Sequence, residues 1–299
     1  MNPTMTLSAL LLACSSACVH ADASSAPVDS HSPVTWTQQQ KPFRIYGNTY
    51  YVGSRGLSAI LITSPQGDVL IDGTLPENAA MIESNIRALG FRVREIKLIL
   101  NTHTHHDHAG AIAAIAHDSG AEVAANAISA KALEHGGDDP DDPQRGMGKT
   151  YPKVGHVRIV ADGETVHVGP LALQMHAMPG HMPGSTGWTW RSCENGRCQS
   201  MVYADSISLL SNHRYRYTDP AHPERIAGYR HTLAILSTLP CDILLIPHPP
   251  QDFFQRAARI IPGKSNPLID AHACKAYAQE GQSNLQDRIR LEAGMQAAH

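Results

Sequence analysis

Apolar positions along the chain change period several times, and each change predicts an element. FRIYG (43–47), TYYVG (49–53), LSAILITS (57–64) and DVLIDG (68–73) are short apolar runs separated by turn residues, which predicts strands. From 76 to 90, Ala79, Ile82, Ile86 and Leu89 recur at helical spacing, with Pro76 suited to the first turn and Gly90 to the stop. IKLIL (96–100) is continuously apolar, the pattern of a buried strand, and AGAIAAIAHDSG (109–120) predicts a helix closed by Gly120. The segment 136–148, GGDDPDDPQRGMG, is polar and without period, hence a loop. Strand-like runs follow in VRIVADGETVHVG, LALQMHAMPGH, TGWTWRS and SMVYADSIS. Helical patterns near 222–238 and 269–293 flank the apolar run CDILLIPH. Strands and helices fill both halves without a linker between them. The expectation is an α/β fold, a single domain over 42–299 built from two similar β-α halves.

The N-terminus adds a targeting expectation. TLSALLLACSSACV followed by VHADA reads as an export signal, residues 1–21, with cleavage after Ala21 or Ala23. That stretch is too short for a transmembrane span. MNPTM carries no basic residue, and LLAC ending at Cys14 offers the alternative of a lipid anchor. Residues 22–41, rich in Ser, Pro and Gln, are expected to form a loose arm. Export places the chain in the periplasm, where Cys193, Cys198, Cys241 and Cys274 remain after cleavage and oxidation is favoured. Cys193 and Cys198 flank ENGR, whose Asn-Gly is a hairpin-turn signal, so a bridge across that hairpin leaves Cys241 to pair with Cys274. Four free thiols are the alternative. A net charge of −3 with no basic run excludes nucleic acid as a natural partner.

Histidine is the compositional anomaly: 18 in 299 residues. NTHTHHDHAG (101–110) begins where the IKLIL strand ends, the place where α/β sheets carry their sites. In an extended loop alternate side chains share a direction, so His103 and His105 can reach one ion together. Asp107 and His108 lie just beyond and can face a second, while His106 points away. Imidazole and carboxylate together suit Zn²⁺. Two ions need more ligands than one loop supplies. His181, in the Gly/Pro-framed turn MPGHMPGS, and His248, in LLIPHPP, each stand at the tip of an apolar strand. The histidines at 117, 135, 156, 167, 176, 213, 222, 231 and 272 have no such setting.

HTHHDH resembles the His-x-His-x-Asp-His signature of the metallo-β-lactamase superfamily, and PGH and the late histidine after an apolar strand resemble its remaining ligand positions. LILNTHTHHDHAGAIAAI, PGHMPGSTGWTW, YADSISL, LPCDILLIPHP and ACKAYA are similar to the subclass B3 enzymes of that family over roughly residues 40–280. The resemblance implies an αββα four-layer sandwich with a dizinc site at one edge of the sheets. It implies that His103, His105 and His181 bind the first zinc and Asp107, His108 and His248 the second. It further implies hydrolysis of penicillins, cephalosporins and carbapenems by a zinc-bound hydroxide, aimed by Asp107. Ser206 and Ser208 are candidates for the substrate carboxylate. Asp72 matches an aspartate that steadies the metal loop without touching an ion. A small-molecule β-lactam partner and a monomer are expected.

Asp205 supports a rival. Many hydrolases of this superfamily have an aspartate there that bridges both metals, which suggests a thioesterase or lactonase of the glyoxalase II kind. A di-iron redox role is disfavoured because that branch has a glutamate where His105 stands. A non-catalytic zinc-binding protein is the reading from another class.

Overall fold

The computed structural model describes Met1 and residues 33–297. The expected signal (1–21), Cys14 and residues 22–32 of the expected arm lie outside the described residues.

The first sheet runs in chain order: β1 (Phe43–Tyr46), β2 (Thr49–Tyr51), β3 (Ile60–Ile62), β4 (Asp68–Ile71), β5 (Ile96–Leu100), β6 (Glu122–Ala125) and β7 (Val157–Ile159). β1 to β4 pair antiparallel and β4 to β7 parallel. The second sheet contains β8 (Thr165–Val168), β9 (Leu171–Ala177), β10 (Thr186–Glu194), β11 (Arg197–Tyr203) and β12 (Ile243–Leu245), in the order β12-β11-β10-β9-β8. Only its β11–β12 pair is parallel. The helices are α1 (Ala79–Ala88), α2 (His106–Ala109), α3 (Ile112–Ser119), α4 (Ala127–Glu134), α5 (Glu224–Thr238), α6 (Phe253–Ala257) and α7 (Ala273–Ala297).

Residue parity explains the layers. Ile60, Ile62, Val69, Ile71, Leu98 and Leu100 point inward and meet Leu173, Met175, Trp188, Trp190, Met201 and Tyr203 of the second sheet. Their neighbours Leu61, Leu70 and Ile99 point the other way and pack under α1 and α3 with Ile82, Ile86, Ile112 and Ile115. Val202 likewise faces Tyr229 and Leu233 of α5 and Tyr277 of α7. A sheet covered on both faces has no solvent face, so its strands read as continuous apolar runs rather than alternating ones. The result is the expected αββα sandwich.

Four elements went unforeseen: α2, β6, α4 and α6. β6 reads EVAA and α4 AISAKALE, whose alanines carry little periodic contrast. Asn126 marks the start of α4 after the fact, its side chain accepting from the N–H of Ile128 and Ser129. The expected loose arm is docked from Pro33 onward. Val34–Trp36 is a 3₁₀ turn, Asn78 donates to the Trp36 carbonyl at 2.8 Å, and Gln39 donates to Asn85 at 2.7 Å.

Cys193 and Cys198 are bonded across the β10–β11 hairpin, where they are cross-strand partners. Cys241 and Cys274 are bonded as well, tying the start of α7 to the segment between α5 and β12. Among the described residues no helix is long and apolar enough to cross a membrane.

Candidate metal centre

The histidine segment leaves the carboxyl end of β5 and changes conformation halfway. Through His105 (φ −67°, ψ 151°) it is extended, and from His106 it turns into α2. The extended expectation therefore holds for the first half only. Alternation sends His103 and His105 to one side, and the helical turn brings the adjacent Asp107 and His108 to a common point.

The loop after β4 holds this turn from behind. Gly73 N–H donates to the His108 carbonyl at 2.7 Å, and Thr74 bridges to Ala109. Asp72 is fully buried at φ 64°. Its Oδ1 accepts from Asn101 Nδ2 (3.0 Å) and Thr102 N–H (2.8 Å), and its Oδ2 from Thr102 Oγ1 (2.8 Å) and Tyr203 OH (2.9 Å). Four donors on one carboxylate fix the start of the histidine segment.

Two remote turns complete the site. His181 follows Gly180, whose φ of 154° and 2.3 Å clearance from an added Cβ to Tyr229 Cδ2 admit no side chain. His248 follows β12, where Ser58 hydrogen-bonds both Ile246 and Pro247 carbonyls at 2.8 Å.

These side chains form two triads, His103–His105–His181 and Asp107–His108–His248, each with its donor atoms within 4.8 Å of one another. In the first triad the three rings stand nearly perpendicular, at 82° to 89°, with centroids 4.6 to 4.9 Å apart. In the second, His108 Nε2 lies 3.0 Å from His248 Nε2 and 3.1 Å from Asp107 Oδ2.

Hydrogen-bond partners decide where the protons sit. His181 Nδ1 faces the Ser208 carbonyl at 2.9 Å, and a carbonyl only accepts, so Nδ1 carries the hydrogen and Nε2 a lone pair. His105 Nε2 faces Asp142 Oδ1 at 3.0 Å, which leaves its Nδ1 as a lone pair. These two lone pairs face each other at 3.2 Å. His103 Nδ1 is hydrogen-bonded to Thr102 Oγ1 at 3.3 Å, whose own hydrogen goes to Asp72, and the Asp205 carboxylate lies 2.7 Å from the same nitrogen; its buried Nε2 has no hydrogen-bond partner. Three converging lone pairs repel unless a cation sits among them. Tetrahedral Zn²⁺ with Zn–N near 2.05 Å places nitrogens about 3.3 Å apart, close to the spacing found. The donor set therefore fits a bound metal.

Electrostatics agree. Burial, then the neighbouring His105, pulls His181 down to about 3. Burial also pulls His103 well below its ordinary value. Burial opposes the Asp107 carboxylate, but the charge and hydrogen bond of His108 outweigh it and hold Asp107 well below the usual range. His108 is depressed by burial and raised, on balance, by Asp107. Burial pushes Asp205 up to about 7.

The triads form the floor of a cavity of about 580 Å³. Residues from the 136–148 loop, among them Gln144 and Met147, line one wall, and Ser208 and Leu210 line another. Ser208 Oγ also stands 3.0 Å from His181 Nδ1. Ser206 is not on the cavity wall. Asp205 lies behind His103, outside both triads. His106 reaches the wall with Trp36, whose ring is 5.5 Å from that of His248. None of the nine other described histidines lines the cavity. Sequence reasoning missed Trp36 and Asp142. Asp142 lies in the acidic DDPDDP run, where no spacing distinguishes one carboxylate from the next.

The sequence profile described as the metallo-β-lactamase superfamily matches residues 53–189. Among solved structures, Rm3 metallo-β-lactamase is 46% identical with a TM-score of 0.83, covering 87% of this chain and 97% of its own. MEM-A1, a subclass B3 metallo-β-lactamase isolated from a soil metagenome library, is 44% identical with a TM-score of 0.84, covering 87% and 99%. A hydroxyacylglutathione hydrolase from Anaeromyxobacter dehalogenans (strain 2CP-C) is 38% identical over 92 residues, which is 31% of this chain and 28% of that enzyme. The fold, the two donor triads and near-complete coverage of metallo-β-lactamase structures lead to one assignment: the chain belongs to the metallo-β-lactamase superfamily and, within it, to the metallo-β-lactamases, hydrolases that act on cyclic amides.

Proposed function

We propose that the chain is a β-lactamase that holds two zinc ions and hydrolyses the lactam amide of penicillins, cephalosporins and carbapenems. The observation that carries this reading is the pair of donor triads, the first with its lone pairs inward, on the floor of a substrate-sized cavity. His103, His105 and His181 would hold one ion, and Asp107, His108 and His248 the other. When bound, zinc polarises a carbonyl and acidifies water from about 15.7 to about 7.

The chain's own residues supply aim. Asp107 turns Oδ2 to its triad, 3.1 Å from His108, and Oδ1 can accept a hydrogen bond from the attacking water. Thr102 Oγ1, Asp142 and the Ser208 carbonyl fix the tautomers of His103, His105 and His181, and the Asp205 carboxylate stands beside His103 Nδ1. With its carbonyl taking the His181 hydrogen, Ser208 can donate Oγ–H to a substrate carboxylate. No serine nucleophile is needed, and the chain lacks the Ser-x-x-Lys, Ser-Asp-Asn and Lys-Thr-Gly set of serine β-lactamases. Two disulfides support an oxidising compartment, and we place the mature protein in the periplasm as a monomer.

The test is hydrolysis of imipenem and nitrocefin by purified protein. Turnover should be abolished by EDTA and restored by zinc. Inert lactams beside rapid thioester cleavage would select the second reading, a thioesterase like the hydroxyacylglutathione hydrolase relative. Against that reading, Asp205 sits behind His103 and is not placed to bridge the triads.

A further inference from the structure

We infer that Glu292, on the last helix, is a positioning residue for the metal ligand His181, acting through Tyr217. The inference rests on the dizinc reading above.

Glu292 is 1% exposed, and its carboxylate is saturated. Oε1 accepts from Tyr217 N–H (2.9 Å) and Arg288 Nε (2.5 Å), and Oε2 accepts from Thr218 N–H (2.7 Å) and Thr218 Oγ1 (2.6 Å). A buried carboxylate is costly unless its lone pairs are filled, and once filled it permits few geometries. The groups it fixes belong to the loop that follows Ser208. Arg288 fastens the same loop at Ser211 and at the Tyr215 carbonyl.

Tyr217, also 1% exposed, carries this rigidity inward: its hydroxyl donates to the Gly180 carbonyl at 3.1 Å. Gly180 precedes His181, whose Nδ1 is in turn held by Ser208 at the head of the clamped loop. His181 is the only member of its triad from outside the 101–110 segment, so its placement depends on such remote ties. Thr232 of α5 supplies another, donating to the Pro179 carbonyl at 2.7 Å. Neither Glu292 nor Tyr217 touches a donor atom of either triad.

The test uses the purified full-length protein, metal-stripped and titrated with zinc against a chromophoric chelator, and separately with Co²⁺, whose visible spectrum reports each site. Tyr217→Phe, which removes only the hydroxyl, and Glu292→Gln should each weaken the first site about tenfold and leave the second unchanged. Val166→Ala, a buried cavity-forming change on β8 remote from this network, should bind both metals like the parent while melting lower. If Glu292→Gln fails to fold, Tyr217→Phe alone decides. A parent that binds two metals, matched by Tyr217→Phe at both sites, overturns the inference alone. Equal weakening in Val166→Ala also overturns it, since general loosening would then explain the effect. A parent that binds fewer than two metals overturns the dizinc reading and this inference with it.

Discussion

At the scale of single residues, the site is organised by where protons are prevented from sitting. Thr102 Oγ1, Asp142 and the Ser208 carbonyl each face the outer nitrogen of one imidazole, and the inner nitrogens are lone pairs as a consequence. Replacing Asp205 by Asn keeps the shape but removes the anion behind His103. Zinc affinity at the first triad should fall by about 10- to 100-fold, read by chelator competition, with the second triad little changed. The depressed His181 makes a further prediction, about pH. Its pKa lies near 3 when folded, against 6.5 for an ordinary histidine. Between those values the unfolded chain takes up a proton that the folded, metal-free protein refuses. The unfolded state then binds more protons, and stability falls as pH falls. Metal-free His181→Asn should therefore lose less melting temperature between pH 7 and pH 5 than the metal-free parent. Equal losses would remove the argument from burial. Four of the six triad residues could be named from the chain because His-x-His-x-Asp-His is a dense and unusual cluster. Asp142 and Trp36 could not, because their roles depend on loops folding back over the cavity.

Among the elements, α2 and α7 do the most for the site. The histidine segment is too short for periodicity to signal a helix, so the turn at His106–Ala109 becomes visible only once the Gly73 and Thr74 contacts are known. The long strands and helices are legible because burial on one face leaves a period and burial on both leaves an unbroken apolar run. β6 and α4, rich in alanine, leave almost none. The cysteines were legible through the Asn-Gly turn of the first pair, which left the second by subtraction. The Cys241–Cys274 bond closes a span of 33 residues at the root of α7. Loop-closure entropy puts its contribution at about 3–4 kcal/mol, against about 2 kcal/mol for the short hairpin bridge. Denaturant titration of Cys241→Ser/Cys274→Ser should show the larger loss, and a smaller loss than in Cys193→Ser/Cys198→Ser would contradict that ranking.

Seen as a whole molecule, the two sheets enclose one core, and the functional groups gather where β5, β9 and β12 end. A parallel strand delivers the 101–110 segment, an antiparallel strand delivers His181, and the short β12 delivers His248. Three stretches far apart in the chain thus meet at one edge, which no local reading of any of them requires; the shared strand-tip setting of His181 and His248 pointed to that link, and resemblance to the family divided the residues between two ions. The most direct measurement of the central claim is the zinc content of the purified protein and of His108→Ala after equilibrium dialysis. Two zinc ions per chain in the parent and one in His108→Ala are predicted, with lactam turnover collapsing in the variant. Two ions and full turnover in His108→Ala, or none in the parent, would contradict the account.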